Sequence, residues 1–283
     1  MQTEQFQLHA EIEARHWWFV ARRRIVRRLV GRVLPPSRAT TIVDVGCGTG
    51  ANVAALADEY RCVGIDTSDE AIRLARQRFP AVQFLVGHAP GDLGPIASEA
   101  RLFLLMDVLE HVEDDFALLS ELLGALEPGS HLLVTVPADP SLWSEHDESF
   151  GHYRRYERGR LARLWADLPV SPLVVSYFNA RMYPLVRAVR ALNRLRGRAS
   201  GRAGTDFWMP PGPLNRLLAA TFAGEARVLD ALLEGRRTQG YRSGASLLAL
   251  LRREPGRIDT RRKPDDVGEE RSPLAASTCG GRV

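Results

Sequence analysis

The chain reads as an α/β protein whose mostly parallel sheet carries helices on both faces. Three observations predict this. Short β-branched or leucine-rich runs alternate with helical periodicities from residue 41 to 136. A glycine-rich turn joins the first such run to a helix, Val43-Asp44-Val45-Gly46-Cys47-Gly48-Thr49-Gly50. Helical segments separate successive strands, and such alternation implies a parallel sheet covered on both faces.

The elements follow in order. Residues 1–35 form one or two helices, with Trp18, Ile25, Leu29 and Val33 near helical spacing and arginines between them, stopped by Pro35-Pro36. Thr41–Val45 is a strand, 51–59 a helix and Arg61–Ile65 a second strand. Thr67 with Glu70 is a capping-box signature opening a helix that Pro80 ends. Val82–Val86, Leu102–Met106 and His131–Val136 are further strands, and Phe116, Leu119, Leu123 and Leu126 mark the helix before the last of these. After a polar, aromatic stretch at 138–156 come a short helix at 161–168 and strands at Leu173–Phe178 and Ser246–Leu251. Helical segments at about 181–197 and 213–235 lie between those two strands. This gives an N-terminal helical cap (1–36), a catalytic domain (37–253) with a helical lid insertion at about 180–240, and a charged, disordered tail (254–283).

Composition narrows the function classes. No apolar run approaches the ~18 residues of a membrane span. The opening MQTEQFQLHAEIEARHWWFV lacks the layout of a secretory signal. Cys47, Cys62 and Cys279 match neither a disulfide framework nor a zinc site, so a reducing cytoplasm is the expected compartment. His146, Asp147 and His152 could supply metal ligands, but they show no recognised metal spacing and no metal is expected. The net charge of +4 is almost wholly arginine, since Lys263 is the only lysine. No nucleic-acid-binding module is present.

The glycine loop is the sharpest signal. Glycine permits the tight turn and close approach of a ligand to the backbone, and the following helix N-terminus adds N–H donors. Spacing alone leaves two ligands open. Gly46, Gly48 and Ala51 satisfy a dinucleotide fingerprint, with Asp66 20 residues after Gly46 as a ribose acid, so an NAD-dependent oxidoreductase is one reading. Asp44 opposes it: its charge suits a cationic ligand and sits poorly beside a pyrophosphate.

Here the sequence resembles the class I S-adenosylmethionine-dependent methyltransferases, over about 38–137. VDVGCGTG is similar to that family's first motif, Val63-Gly64-Ile65-Asp66 to its second, Met106-Asp107-Val108-Leu109-Glu110-His111-Val112 to its fourth-strand motif, and Leu126-Glu127-Pro128-Gly129-Ser130 with the run to Pro137 to its fifth. The resemblance implies a seven-stranded Rossmann-like sheet with an antiparallel last strand, S-adenosylmethionine as cofactor and S-adenosylhomocysteine as product. It implies that Gly46, Cys47, Gly48 and Gly50 line the methionine portion, that Asp44 helps hold its amino group, and that Asp66, with Thr67 beside it, takes the ribose hydroxyls. Asp107 and Val108 would line the methyl-facing side. His88 departs from the family's usual Gly-Asp-Ala, standing in Gly87-His88-Ala89 where an adenine-binding acid is common.

Chemistry at the acceptor is expected from Trp143-Ser144-Glu145-His146-Asp147 and Gly151-His152-Tyr153-Arg154-Arg155-Tyr156, which leave the carboxyl edge of the fifth strand. These resemble a W-x-x-H-D…G-H-x-R-R-Y pattern of a bacterial subgroup tied to polysaccharide, lipid and secondary-metabolite synthesis. His16-Trp17-Trp18-Phe19 is similar to that subgroup's opening motif, which would bring both stretches into one site. His146 or His152 is the expected base, with Asp147 as orienter and His111 third in rank. Arg154 and Arg155 would hold an anionic group. Trp17, Trp18, Trp143, Tyr153 and Tyr156 would contact the substrate. The acceptor is expected to be a small molecule, a glycan or a lipid-linked compound, methylated on O, N or C. The arginine-flanked helices cover the sheet or a second copy of the chain, or else rest on the inner face of a membrane. A methyltransferase-fold protein with other chemistry is the remaining alternative.

Overall fold

The computed structural model describes residues 3–196 and 208–258. Residues 197–207 of the predicted inter-helix loop and 259–283 of the predicted disordered tail lie outside them.

The elements are α1 (Thr3–Ile12), α2 (Trp17–Val33), β1 (Ser37–Val45), α3 (Ala51–Ala54), β2 (Tyr60–Asp66), α4 (Asp69–Arg78), β3 (Gln83–Val86), α5 (Ile96–Glu99), β4 (Ala100–Met106), α6 (Asp115–Ala125) and β5 (His131–Pro137). Then come α7 (Glu145–Ser149), α8 (Arg158–Arg163), β6 (Val170–Phe178), α9 (Tyr183–Arg196), α10 (Gly212–Ala223), α11 (Ala226–Leu233) and β7 (Ser246–Arg253). The strands form one sheet in the order β3-β2-β1-β4-β5-β7-β6. Strands β1 to β5 pair in parallel, and β7 runs antiparallel between β5 and β6. This is the Rossmann-like sheet that the motifs imply.

Alternation of side chains splits the core into two layers. Phe103 and Leu105 of β4 join Leu119, Leu123 and Trp165 on one face. Leu102 and Leu104 join Ile25, Leu29, Phe222 and Leu229 on the other. The N-terminal helix is therefore part of the second core. Helices α2 and α10 are also stitched by Asn215, which accepts from the Trp17 amide at 2.9 Å and donates to the Arg15 carbonyl at 2.8 Å. Pro172 sits at a register shift in β6, an edge strand, where a missing N–H costs no ladder bond.

Four local expectations are corrected. The helix foreseen at 51–59 is a single turn, α3, followed by turns. The cap of α4 is Ser68, whose hydroxyl accepts from the Ala71 amide at 3.2 Å; Thr67 stands one residue too early. The helix foreseen at 213–235 breaks into α10 and α11 at Gly224-Glu225, where Arg181 packs and donates its amide to Glu225 at 2.8 Å. The connector at 138–156 contains α7, closed by a reciprocal Ser144–Asp147 capping box.

Candidate active site

The carboxyl ends of β1, β2, β4 and β5 open onto one cavity of about 1490 Å³. It lies where the strand order reverses between β1 and β4, the usual ligand crevice of an open α/β sheet.

The glycine loop forms its floor. Gly46 and Cys47 donate their amides to the Ile65 carbonyl at 2.8 and 3.1 Å, which bends the chain sharply after β1. Gly46 (φ 67°) and Gly50 (φ 86°) are required on two counts. A Cβ at Gly46 would come within 2.6 Å of Val108, and one at Gly50 within 2.7 Å of Phe84. Gly48 (φ 53°) has nothing within 4 Å of that position, so its backbone is open to a ligand. Gly46, Cys47 and Gly48 line the cavity, whereas Gly50 serves packing against Phe84 and Ala75.

Asp66 accepts from the Gly48 amide at 2.8 Å and the Ser68 amide at 2.9 Å. Each oxygen keeps a lone pair for a hydroxyl. Thr67 and His88 are exposed at the cavity rim beside it. Asp92 accepts the His88 amide at 2.7 Å and so braces the turn after β3.

Asp44 is fully buried behind the cavity wall, and neither carboxylate oxygen has a hydrogen-bond partner. Burial pushes its pKa up to about 7, against the pull of Arg22. An orphaned carboxylate under a glycine loop fits a cationic ligand group.

Asp107 holds a left-handed backbone (φ 58°), a conformation that a non-glycine residue adopts at a cost of ~1–3 kcal/mol. Its carboxylate accepts from Thr135 at 3.2 Å and pairs with Arg22, a buried residue of α2 that stacks 4.2 Å over Trp18. Glu13 accepts from Thr49 at 2.7 Å and pairs with Arg78. The N-terminal segment thus reaches directly into the glycine loop. Trp17, Trp18, His9 and His16 all line the cavity.

The 143–156 segment meets it there. His9 of α1 lies 5.5 Å from Phe150 between ring centroids. His111, His146 and His152 line the cavity together, so six of the chain's seven histidines face this one space. Burial lowers His9 and His16 to about 4, lowers His111 to about 3, and carries His146 well below its ordinary value. These rings are neutral at pH 7.

Asp147 is fully buried. It accepts from His152 Nδ1 at 3.0 Å, Arg155 Nε at 2.8 Å and Arg190 at 3.3 Å. Burial alone would raise its pKa; the His152 hydrogen bond and the two guanidiniums outweigh burial and hold it well below the usual carboxylate range. Of the two candidate bases, the ring that Asp147 holds by a hydrogen bond is His152.

Four expected substrate contacts lie elsewhere. Arg154 donates to the Val112 and Glu113 carbonyls at 2.8 and 2.7 Å and pairs with Asp115 at 3.1 Å, so its donors are spent on the loop after β4. Tyr156 is fully buried and donates to Asp115 at 2.7 Å. Trp143 donates to Glu148 at 3.3 Å, and Tyr153 is exposed. None of the four lines the cavity. Arg155 does, but its Nε and Nη1 are engaged by Asp147 and the Ala138 carbonyl.

Sequence reasoning passed over Phe6, Glu13, Glu110, Asn179 and Arg190, all on the cavity wall. Glu110 sits inside a quoted motif, and Asn179 directly follows β6, so strand-end position was an available signal for both. Arg190 was masked by the surrounding arginines of α9.

The fit to S-adenosylmethionine rests on the open Gly48 backbone, the ribose-ready Asp66 and the orphaned Asp44. Comparison with known proteins agrees. A family described as a methyltransferase domain matches residues 16–183, more than half of the chain. The chain is 38% identical over 158 residues to the trans-aconitate 2-methyltransferase of Azoarcus sp. (strain BH72), covering 54% of this chain and 58% of that protein. It is 28% identical over 154 residues to the enzyme of the same name from Rhodopseudomonas palustris (strain BisB18), covering 52% and 59%. The chain thus matches less than two thirds of these relatives' length. Among solved structures, the plantazolicin methyltransferase BpumL in complex with SAH superposes with a TM-score of 0.52 at 12% identity, over 89% of this chain and 90% of that one. The cyclase SpnF superposes at 0.51 and 17% identity, over 82% of each. The chain belongs to the class I S-adenosylmethionine-dependent methyltransferases.

Proposed function

We propose that the cavity holds cofactor and acceptor end to end, and that the acceptor is a small amphipathic molecule with an apolar body and a protic nucleophile. The observation that carries this reading is the composition of the wall. The β1–β2 end is acidic and glycine-lined, the middle is histidine-rich, and the far end is built from Leu185, Val186, Val189, Trp208, Leu214 and Leu218.

When bound, S-adenosylmethionine supplies a methyl group already activated on a sulfonium. The chain's work is then alignment and proton removal. Gly46, Cys47 and Gly48 cradle the amino-acid portion, Asp44 balances its ammonium, and Asp66 takes the ribose hydroxyls. His88 stands at the adenine end, and Asp107 and Val108 flank the methyl side. His152, fixed through Nδ1 by Asp147, presents Nε2 to the acceptor, with His111 and His146 beside it. Trp17 and Trp18 grip the acceptor from the N-terminal side.

On the same reading residues 1–36 act as a cap and about 180–240 as a lid. A small polyacid acceptor, as the relatives' name states for them, suits this wall poorly: Arg22, Arg155 and Arg190 are each already paired with a carboxylate. An apolar acceptor delivered at a lipid surface suits it better. Ten large apolar side chains are exposed among the described residues, and eight of them lie between 185 and 217. Arg181, Arg187 and Arg216, in or next to the same helices, are exposed too. No helix among the described residues is long and apolar enough to cross a membrane. This supports a peripheral role in envelope or secondary-metabolite synthesis.

Two experiments test the reading. Methyl transfer is assayed on matched acceptors with and without a hydrophobic tail. The tailed series is expected to show the higher kcat/KM, and preference for trans-aconitate would contradict it. Cosedimentation with phosphatidylglycerol vesicles, weakened in Leu185→Ser/Leu195→Ser, is the outcome expected of the lipid-facing lid.

A further inference from the structure

Glu110, His111 and His152 each bring one ligand-type atom within 4.8 Å of the others at the cavity wall. Two come from the turn after β4 and the third from 41 positions further on, so no spacing motif announces them. Glu110 is 1% exposed, and neither of its carboxylate oxygens has a partner. Leaving such a group unmet is costly, and more so when it is charged.

The histidines are prepared in a particular way. His152 Nδ1 is taken by Asp147 at 3.0 Å, which leaves Nε2 to bind. Asp147 is itself fixed by Arg155 and Arg190. The His111 ring lies edge-on to His152 at 4.7 Å, with the Phe150 carbonyl against it. A carboxylate or carbonyl on the far nitrogen is the arrangement that orients a metal-ligating imidazole and makes it more basic. Two imidazoles and one carboxylate favour a divalent first-row transition metal over Mg²⁺ or Ca²⁺, and three protein ligands leave a position open.

We propose that Glu110, His111 and His152 form a binding site for a divalent transition metal, with its open position facing the acceptor. A cation there would occupy His152 Nε2, so the metal replaces His152 as the means of proton removal. It binds a hydroxyl or carboxylate of the acceptor and acidifies a hydroxyl nucleophile, whose proton passes to solvent. The role at the acceptor rests on the methyl-transfer reading; the binding of metal does not.

The test uses the full chain, stripped with a chelator and titrated with Co²⁺ and Zn²⁺. Visible absorption follows Co²⁺, competition with a chromophoric chelator follows Zn²⁺, and S-adenosylhomocysteine binding and thermal melting report folding. One ion per chain is expected, with ligand-field bands of nitrogen and oxygen donors. Affinity should fall ~10-fold or more in Glu110→Gln and His152→Gln, and stay unchanged in His131→Gln, which lies outside the cavity. If those two variants melt early, His111→Gln, on a half-buried residue, replaces them. A folded wild-type chain that binds S-adenosylhomocysteine but no stoichiometric metal overturns the proposal. So does binding that survives in the folded variants. Metal binding without adenosyl binding would instead sink the methyltransferase reading and leave the site standing.

Discussion

Asp44 carries two opposing demands. Its folded pKa of about 7 lies above the ordinary 3.8, because burial disfavours the charge. The stability it contributes to the free protein is therefore full below 3.8 and is lost as pH rises through 7. A ligand ammonium needs the charged form, so affinity runs the other way. S-adenosylhomocysteine binding is expected to strengthen with pH, by up to about tenfold per unit through that region. Asp44→Asn should flatten that slope, weaken binding, and stabilise the free protein at pH 8 by ~1–3 kcal/mol. Calorimetric titration and thermal melts at pH 6 and 8 check all three. At Gly46 the demand is steric. Gly46→Ala adds a Cβ at 2.6 Å from Val108 on a left-handed backbone, so a loss of ~1–3 kcal/mol and of adenosyl binding is expected. Val108→Ala should recover only part of the stability, since the backbone strain remains.

Among the elements, the strands were the most legible. Leu102–Met106 is apolar on both faces, and Thr41–Val45 and Arg61–Ile65 depart from that only at Thr41, Asp44 and Arg61, a pattern that suits covered parallel strands. Helices were less so. Periodicity over 51–59 does not reveal that only the first turn holds, and periodicity over 213–235 runs straight through Gly224-Glu225, where Arg181 packs. Helix α7 was illegible because its start depends on a Ser144–Asp147 cap inside a stretch that reads as a loop. Helix α9 is held to this segment by Arg190, which donates to the Leu142 carbonyl and pairs with Asp147. Arg190→Ala should loosen α9 selectively. Hydrogen exchange is expected to speed up in 183–192 and in α7 while β4 and β5 keep their protection; uniform loosening would contradict this linkage.

At the scale of the whole molecule, the cofactor half of the site, on the proposed reading, draws most of its residues from the short stretch 44–66, so motif spacing exposes it; His88, Asp107 and Val108 complete it from the ends of β3 and β4. The rest of the cavity wall, the proposed acceptor half, is assembled from α1, α2, the turn after β4, the 143–156 segment, α9 and α10. No local pattern encodes that convergence. Charge and aromatic density at 143–156 pointed to a segment that reaches the cavity through His146, His152 and Arg155, but did not separate these from Trp143, Tyr153, Arg154 and Tyr156, which do not line it. Arg154 and Tyr156 carry site-like chemistry and spend it on Asp115, while Glu110 and Asn179 looked ordinary and reach the cavity wall. Which polar residue faces a ligand is set by tertiary partners.

The central claim is that the glycine loop and Asp66 hold S-adenosylmethionine in this cavity. Calorimetric titration with S-adenosylhomocysteine, on the wild-type chain and on Asp66→Ala, tests it most directly. Saturable binding by the wild type, weakened by ~2–4 kcal/mol in a variant that still melts cooperatively, is the predicted result. Binding unchanged by Asp66→Ala, or replaced by binding of NAD, would contradict it.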